Sequence, residues 1–343
     1  MNSDVSVVIT NYNGQDTLPK TLESVKQLDP LPSEVILVDD GSTDQSTKMA
    51  MEILPSLRVV RMGKNTARLN QVRNAGLRAA LHKFVFLMDN DILLEPNCVR
   101  RLVEEMGRLP QAVVCTPRLL FANERNRIYT DGQKLHYIGS TIALNRNAVA
   151  KGQSPVVEGT TGGGILLMDK ENAEKVGFFN ESFSMGWCDD GELFIRLILK
   201  GFKCYHVPHA VGYHYHKYRT TERAYAQVRN RWLVILEDYS ARTLFLLAPA
   251  FFAYEIFLLS MILLKGSLRD YWRGNADVLK ELSTILQRRR ITQGQRKISD
   301  RDILSSGDLY ISPTLLNNSV FRVGIKIVNS FFSGYWHIVK VFI

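Results

Sequence analysis

The chain has 343 residues, 45% of them apolar and 22% charged, proportions ordinary for a folded protein. That length allows a substantial core, as one large domain with an appendage or as two domains. Residues 1 to 216 carry 24 basic and 24 acidic side chains and residues 217 to 343 carry 19 and 10, so the whole net charge of +9 belongs to the last third. The four cysteines, Cys98, Cys115, Cys188 and Cys204, have no CxxC spacing and read as reduced, buried thiols rather than a zinc site or a disulfide framework. No basic stretch, apolar core and small-residue cleavage site precede "VSVVIT", so the expectation is no secretory signal and a catalytic part facing the cytoplasm.

In chain order, "VSVVIT" reads as a strand and "DTLPKTLESVKQL" as a helix with Leu18, Leu22, Val25 and Leu28 on one face. "EVILV" and "LRVVRM" are the second and third strands, residues 67 to 83 a helix, and "FVFLM" the fourth strand. "NCVRRLVEEM" sets Val99, Leu102, Val103 and Met106 on one helical face before a further strand, "AVVCT". This βαβα order predicts an α/β fold on a mostly parallel, Rossmann-like sheet with helices on both faces. Ligands of such sheets bind beyond the carboxyl ends of the strands, where the strand order reverses. Polar residues gather at those ends: Thr10, Asn11, Tyr12 and Asn13 after the first strand, Asp39 and Asp40 after the second, Asp89, Asn90 and Asp91 after the fourth.

The chemistry is narrowed by what those ends lack. No GxGxxG follows the first strand and no GxxxxGK[ST] occurs, so neither a dinucleotide site nor a P-loop is indicated. Carboxylates at i and i+2 can present oxygens to Mg2+ or Mn2+, hard cations that bridge carboxylates to diphosphates. By themselves Asp89 and Asp91 fit a solvated strand-end loop; with Asp39 and Asp40 at the neighbouring strand end the balance moves to a ligand site.

Six segments, "VSVVITNYNG", "VILVDDGSTD", "RNAGLRAA", "FVFLMDND", "TTGGGILLM" and "GFFNESFSMGWCDDGELFIRLILKGFKCYHVPHAVGYHYH", occur in an order that resembles glycosyltransferase family 2, inverting enzymes of the GT-A fold, over about residues 3 to 216. Within that family the chain resembles membrane-associated, rhamnosyltransferase-like members of bacterial cell-surface glycan assembly. The resemblance implies a nucleotide-sugar donor, with Thr10 and Tyr12 lining the nucleotide pocket, Asp40 accepting from the N3–H of a uracil or thymine ring, and Asp39 bracing the turn. It places Arg73 and Asn74 near the diphosphate and sugar, although their residue types alone would fit a solvated helix face. Asp91 is implied as a direct ligand of an Mn2+ or Mg2+ cofactor, and Asp89 as nearer the ribose or the metal's water shell. His214 is the first choice to complete the metal shell and His216 the alternative, a surface pair being the plain reading of both.

Asp190 matches the general base that deprotonates the acceptor hydroxyl, with Asp189 standing where the family has glutamate. Helix N-capping is the plain use of one of the two. Gly163, Gly164, Trp187, Asp189 and Glu192 are placed along the sugar and acceptor pocket, Glu192 as an organiser or acceptor ligand. In the implied reaction the acceptor oxygen attacks the anomeric carbon opposite the leaving nucleotide diphosphate. A positioned base contributes roughly 10²- to 10⁴-fold, and the metal stabilises charge on the leaving group.

"LFLLAPAFFAYEIFLLSMILL" (Leu244 to Leu264) is long enough to span a bilayer, but Glu255 near its middle and Pro249 within it count against a simple span. Arg229, Arg231 and Arg242 precede it, and Lys265, Arg269, Arg273 and "QRRR" follow. An in-plane helix, or a re-entrant pair bent at Pro249, would keep both clusters on anionic lipid. "VFRVGIKIVNSFFSGYWHIVKVFI" repeats the theme, with Tyr335 and Trp336 suited to the headgroup layer. Core helices or a homo-oligomer contact are the alternative use of both segments.

The expected organisation is a GT-A catalytic domain over residues 1 to 218, divided near 118 into nucleotide and acceptor halves, and a helical membrane-associating region over 219 to 343. The expected reaction moves a sugar from a UDP- or dTDP-sugar to a hydroxyl of a polyprenyl-linked or other glycan acceptor at the cytoplasmic face of the plasma membrane, with no nucleic-acid partner. Three rivals stand beside it. A non-catalytic scaffold with a transferase fold is one. A sugar nucleotidyltransferase would need a glycine-rich loop and a Lys or Arg straight after the first strand. A processive synthase would need Q-x-x-R-W, for which "QVRNRW" (Gln227 to Trp232) has the wrong spacing.

Overall fold

A computed structural model describes residues 3–152, 154–215, 223–309 and 319–343. Strand β1 (Ser3–Asn11) leads through α1 (Leu18–Lys26), β2 (Pro32–Asp39), α2 (Ser46–Ile53), β3 (Arg58–Arg61) and α3 (Leu69–Ala79) to β4 (Phe84–Asp89), the alternation expected from the sequence. Side chains alternate across a strand, and the core divides accordingly. Val5, Val7 and Ile9 of β1 pack with Leu18, Leu22 and Val25 of α1. Val8 turns the other way, toward Val72 and Leu77 of α3. The four strands are parallel in the order β3-β2-β1-β4, so the order reverses between β1 and β4. Helix α3 stops at Ala79, short of the expected residue 83, because Arg58 and Lys170 take the carbonyls of Ala79 and Ala80.

Beyond β4 the chain runs through β5 (Ile92–Leu94), α4 (Cys98–Arg108), β6 (Ala112–Phe121), β7 (Glu124–Thr130), β8 (Gln133–His136), β9 (Ser140–Ala143), β10 (Val157–Glu158), β11 (Leu166–Asp169), α5 (Lys170–Glu174), α6 (Gly191–Leu199) and β12 (Lys203–His214). Here the sheet becomes mixed: β11 runs antiparallel between β4 and β6, and β12 runs parallel to β6. α1 and α4 cover one face and α3 and α6 the other, as expected. All four cysteines are free and buried, also as expected. Burial pushes the thiol pKa of Cys115 and of Cys188 up to about 12, so these are packing groups.

The last third consists of α7 (Arg223–Asp238), α8 (Ala241–Lys265), α9 (Leu268–Lys280), α10 (Leu282–Gln295), β13 (Leu304–Ser305) and α11 (Ser319–Val339). Its helices pack on the strands and loops that precede residue 218. Leu135, Tyr137, Ile138, Phe183, Cys188, Ile195 and Leu199 of the acceptor half share one core with Val228, Leu233 and Ile235 of α7 and Leu247, Phe251 and Tyr254 of α8. β13 pairs with β8, itself joined to β9, completing a second, three-stranded sheet.

The charge step at residue 217 misleads because much of the basic excess is spent inside. Arg229 pairs with Glu281 at 2.6 Å, Arg231 with Glu255, and Arg288 with Glu237 at 3.3 Å. Arg289 donates to the carbonyls of Leu236 and Tyr239 at 2.7 and 2.6 Å, satisfying the open end of α7. Hence Arg229, Arg231, Arg288 and Arg289 are not the lipid-facing charges expected of them.

Helix α8 is continuous over its 25 residues rather than a re-entrant pair bent at Pro249. Ser240 caps its start by accepting from Thr243 N at 3.1 Å, and Gly266 ends it at φ +71. One face, with Leu247, Phe251, Tyr254, Leu258 and Ile262, is buried; the opposite face exposes Phe245, Phe252, Ile256 and Leu263. Among the described residues this is the one helix long and apolar enough to cross a membrane, over Ala241–Leu263, and a third of that window is buried against the protein.

Candidate active site

The ends of β2, β1 and β4 lie side by side, Thr10 pairing with Val38 on one side and Asp89 on the other. The Thr10 hydroxyl donates to Asp89 Oδ1 at 2.7 Å and ties the two strand ends together across the point of reversal. Asn11 shares its amide among Asp39 Oδ1, Ser42 Oγ and Ser46 Oγ at 3.2, 3.1 and 3.0 Å, and accepts from Asn90 at 2.6 Å. Asp39 also accepts from Ser42 N at 3.3 Å, bracing the turn after β2. Asp40 is buried and accepts from Thr66 N at 2.9 Å and Thr66 Oγ1 at 3.1 Å. An ionised carboxylate has about four acceptor sites, so an imide N–H would share Asp40 with Thr66, a residue the sequence did not single out. Tyr12 is 46% exposed at the rim.

Asp89 and Asp91 close the other side. Burial pushes the Asp89 carboxyl pKa upward, Arg73 pulls it back, and Asp91 adds to the rise. Asp91 Oδ2 lies 3.4 Å from His214 Nε2. Asp91 Oδ1 is buried with no hydrogen-bond partner among the described residues. His216 lies outside the described residues. No group of three or more His, Cys, Asp or Glu side chains that could enclose a metal occurs among the described residues. An orphaned carboxylate oxygen beside an imidazole nevertheless fits Mg2+ or Mn2+, which in phosphate sites use one or two protein carboxylates and complete the shell from diphosphate and water.

The opposite wall is built at the start of α6. Neither aspartate caps this helix with its side chain, which corrects the N-cap alternative. Asp190 Oδ2 instead accepts from Gly163 N at 3.1 Å and Gly164 N at 2.9 Å, and Asp190 makes no other hydrogen bond among the described residues. The loop can reach it because Gly163 lies flat on Thr116, where a Cβ would sit 2.6 Å from the threonine methyl, and Gly164 adopts φ +79. Asp189 turns the other way. It pairs with Arg73 Nη1 at 2.9 Å and accepts from Gly186 N at 3.1 Å. Burial raises the Asp189 pKa, Arg73 opposes the rise, and Asp190 adds to it. Burial acts against the charge on Arg73, but attraction to Asp189, Asp89 and Asp190 outweighs it and its pKa is raised. Asp89 at the end of β4 and Asp189 and Asp190 before α6 therefore act on one buried cation.

Three expected ligand residues are occupied within the protein. Arg73 is buried and held by Asp189 at 2.9 Å and by Asn70 at 3.0 Å as an internal counter-charge. Asn74 donates to Phe179 O and Glu181 Oε1 at 2.8 Å and accepts from Phe179 N at 3.0 Å. Glu192 is buried and takes Arg196 in two bonds of 2.5 and 2.7 Å, while Arg196 also reaches Phe178 O at 2.6 Å. Trp187 is half-buried, its Nε1 without a hydrogen-bond partner among the described residues. Asn70, unflagged in the sequence, donates to Asp189 O and Asn180 O at 2.8 and 2.9 Å and so positions the wall from α3.

Residues 6–166 match the family described as glycosyl transferase family 2, and residues 151–220 match that described as N-terminal domain of galactosyltransferase. Residues 6–166 are a glycosyltransferase family 2 domain. The chain is 26% identical over 207 residues to the succinoglycan biosynthesis protein ExoO of Rhizobium meliloti (strain 1021), covering 46% of the chain and 59% of that protein. It is 22% identical over 192 residues to a poly-beta-1,6-N-acetyl-D-glucosamine synthase of Staphylococcus epidermidis, covering 53% of the chain and 45% of the relative. The match thus spans roughly half the length of these curated relatives. Among solved structures, the mannosyltransferase PcManGT from Pyrobaculum calidifontis, in complex with GDP-Man and Mn2+, superposes with a TM-score of 0.53 at 14% identity over 98% of this chain and 88% of that one. GalNAc-T7 with UDP, GalNAc and Mn2+ gives 0.53 at 17% identity over 63% and 43%. At such identities the likeness is one of fold, and the fold is GT-A with a helical C-terminal part.

Proposed function

We propose that this chain moves a sugar, with inversion, from a UDP- or dTDP-sugar to a hydroxyl of a lipid-linked or other glycan acceptor in polysaccharide assembly. The observation that carries the proposal is the setting of Asp190: one carboxylate oxygen is pinned by two glycine amides, the other has no hydrogen-bond partner among the described residues, and Asp190 acts on the same buried Arg73 as Asp89. In this reading the acceptor hydroxyl gives its proton to Asp190 as its oxygen attacks the anomeric carbon, and the nucleotide diphosphate leaves on the opposite face. Pinning fixes the direction of the basic oxygen, and a base so placed is worth roughly 10²- to 10⁴-fold. Arg73 offsets the repulsion between the adjacent aspartates by holding Asp189 away. Asp40 and Tyr12 take the nucleotide ring. Asp91 and His214 would hold the Mn2+ or Mg2+, which when bound offsets the charge of the leaving diphosphate.

Polysaccharide assembly is supported by the names of relatives, among them a hyaluronan synthase of Pasteurella multocida at 26% identity over 222 residues. The sugar nucleotide and the divalent metal are supported by the ligands named in the two structures of like fold. A place at the membrane surface is supported by exposed apolar residues on two helices, Phe252 and Ile256 on α8 and Ile327, Phe331 and Ile338 on α11. Arg242, Arg269 and Lys326 are exposed on the same helical part and suit anionic lipid.

The test is thermal unfolding of the full chain with a panel of UDP-, dTDP- and GDP-sugars, with and without Mn2+, because a ligand that binds the folded state raises the melting point by mass action. A metal-dependent rise with one nucleotide class is expected. No response to any nucleotide would favour a non-catalytic scaffold.

A further inference from the structure

The segment "QVRNRW" lies on α7, outside the residues that carry the proposed chemistry. Its Asn230 is fully buried and grips the loop that leads into α6. Asn230 Oδ1 accepts from Ser184 N at 3.2 Å and Ser184 Oγ at 3.0 Å, while Nδ2 donates to Ser184 O at 2.6 Å and Trp187 O at 2.8 Å. On either side Arg229 donates to Ser182 O at 2.7 Å and Arg231 to Ile138 O at 2.8 Å. The loop contains no helix or strand, and these bonds tie its backbone to α7. The Asn230 amide uses its oxygen twice and both of its N–H groups, and a buried amide satisfied in this way favours one arrangement of the backbone it holds. Asp189 and Asp190 follow Trp187 almost directly, and Gly186 N is itself bonded to Asp189.

We propose that Asn230 is a positioning residue for Asp190. It sets the backbone from Ser184 to Trp187, and with it the point from which Asp190 meets the amides of Gly163 and Gly164. The inference rests on the reading of Asp190 as the base, and it makes α7 part of the catalytic wall. Because the neighbouring Arg231 is bonded to Glu255, the same helix joins that wall to α8.

The experiment is residue-level amide hydrogen exchange on the full chain with UDP and Mn2+ present, for the wild type, Asn230→Ala and Asp190→Ala. Asn230→Ala is expected to speed exchange at Ser184 and, by about ten-fold, at Gly163 and Gly164, with the amides of β1 and β4 and the UDP affinity unchanged. A residue that merely stabilised the fold would speed the core strands together with the glycines. Wild-type exchange at Gly163 and Gly164 in Asn230→Ala, or an equal acceleration in β4, overturns the proposal. Should Asn230→Ala fail to fold, Ser184→Ala removes only the hydroxyl donation and is judged by the same selectivity, with a smaller factor. Turnover separates the two claims: Asp190→Ala working at the wild-type rate would sink the base, while the exchange pattern still decides the role of Asn230.

Discussion

Arg231 of α7 and Glu255 of α8 form an ion pair among the C-terminal helices. Arg231 is fully buried and lies 4.8 and 4.6 Å from the ring centroids of Trp232 and Tyr254, and Glu255 also accepts from Tyr271 Oη at 2.7 Å. The single acid of the apolar segment is thus neutralised within the protein. Glu255→Gln should destabilise the fold by roughly 3 to 5 kcal/mol, because it leaves a buried guanidinium without its counter-charge. Arg231→Met combined with Glu255→Leu should recover most of the loss. Urea unfolding of the three variants checks this; a loss within error for Glu255→Gln would mean the pair is screened by water.

Asp91 carries the metal prediction. Mn2+ titrated against the wild type with UDP should give a calorimetric binding signal that Asp91→Ala lacks, and excess chelator should abolish transfer. Turnover that persists in chelator would remove the metal from the reaction.

Asp190→Asn should keep nucleotide binding and lose turnover by about two orders of magnitude or more, the range for a positioned base. Asp189→Asn should do less to the rate and more to the melting point, since its partner Arg73 is buried. Steady-state kinetics beside thermal unfolding separates the two, and reversed effects would shift the base by one residue.

Glu237 sets a pH dependence of stability. Burial and the nearby Glu192 push its carboxyl from 4.5 to about 8, against Arg288. The folded chain therefore holds a proton that the unfolded chain releases, so this contribution is full below about 4.5 and is lost as pH rises toward about 8. Burial holds Asp238 above its ordinary range with the same sign. Relative to the wild type, Glu237→Gln should gain melting temperature steadily between pH 5 and 8 and no further above it. A difference independent of pH would assign the proton elsewhere.

Phe252 and Ile256 on the exposed face of α8 provide the membrane test. The wild type should co-sediment with phosphatidylglycerol vesicles and be released only partly by high salt, because salt screens charges beyond a Debye length of about 8 to 10 Å and leaves apolar burial untouched. Phe252→Glu with Ile256→Glu should abolish sedimentation and leave the fold intact. Unaltered binding of that variant would move the contact to another face.

The strand ends that carry Asp39, Asp89 and Asp91 were legible in the sequence because their signals are local. The alternation in Val5, Val7 and Ile9, the turn after Asp39, and the acids after Met88 each lie within a few residues of the strand that positions them. The acceptor wall was not legible in the same way. Asp189 and Asp190 look alike as neighbours, and only the long-range partners Arg73 and Gly163 tell them apart. Asn230 and Thr66 carry no local signature at all. The charge step at residue 217 does not mark exposure, because Arg229 and Arg231 are buried counter-ions. Strand β7 escaped notice because its first four residues, Glu124 to Arg127, are polar and exposed.

The core shared by Tyr137, Phe183 and Leu199 with α7, α8 and α11 has a consequence for how the protein is made. Strands β1 to β4 and their helices can close on one another while the chain is still emerging from the ribosome. Phe183 and Ile195 find their packing partners only once α7 and α8 have been translated, and Tyr137 meets Phe332 and Trp336 close to the end of the 343 residues. During synthesis the strand ends that carry Asp40, Asp89 and Asp91 are therefore complete before the loop that carries Asp190 has its full set of packing partners.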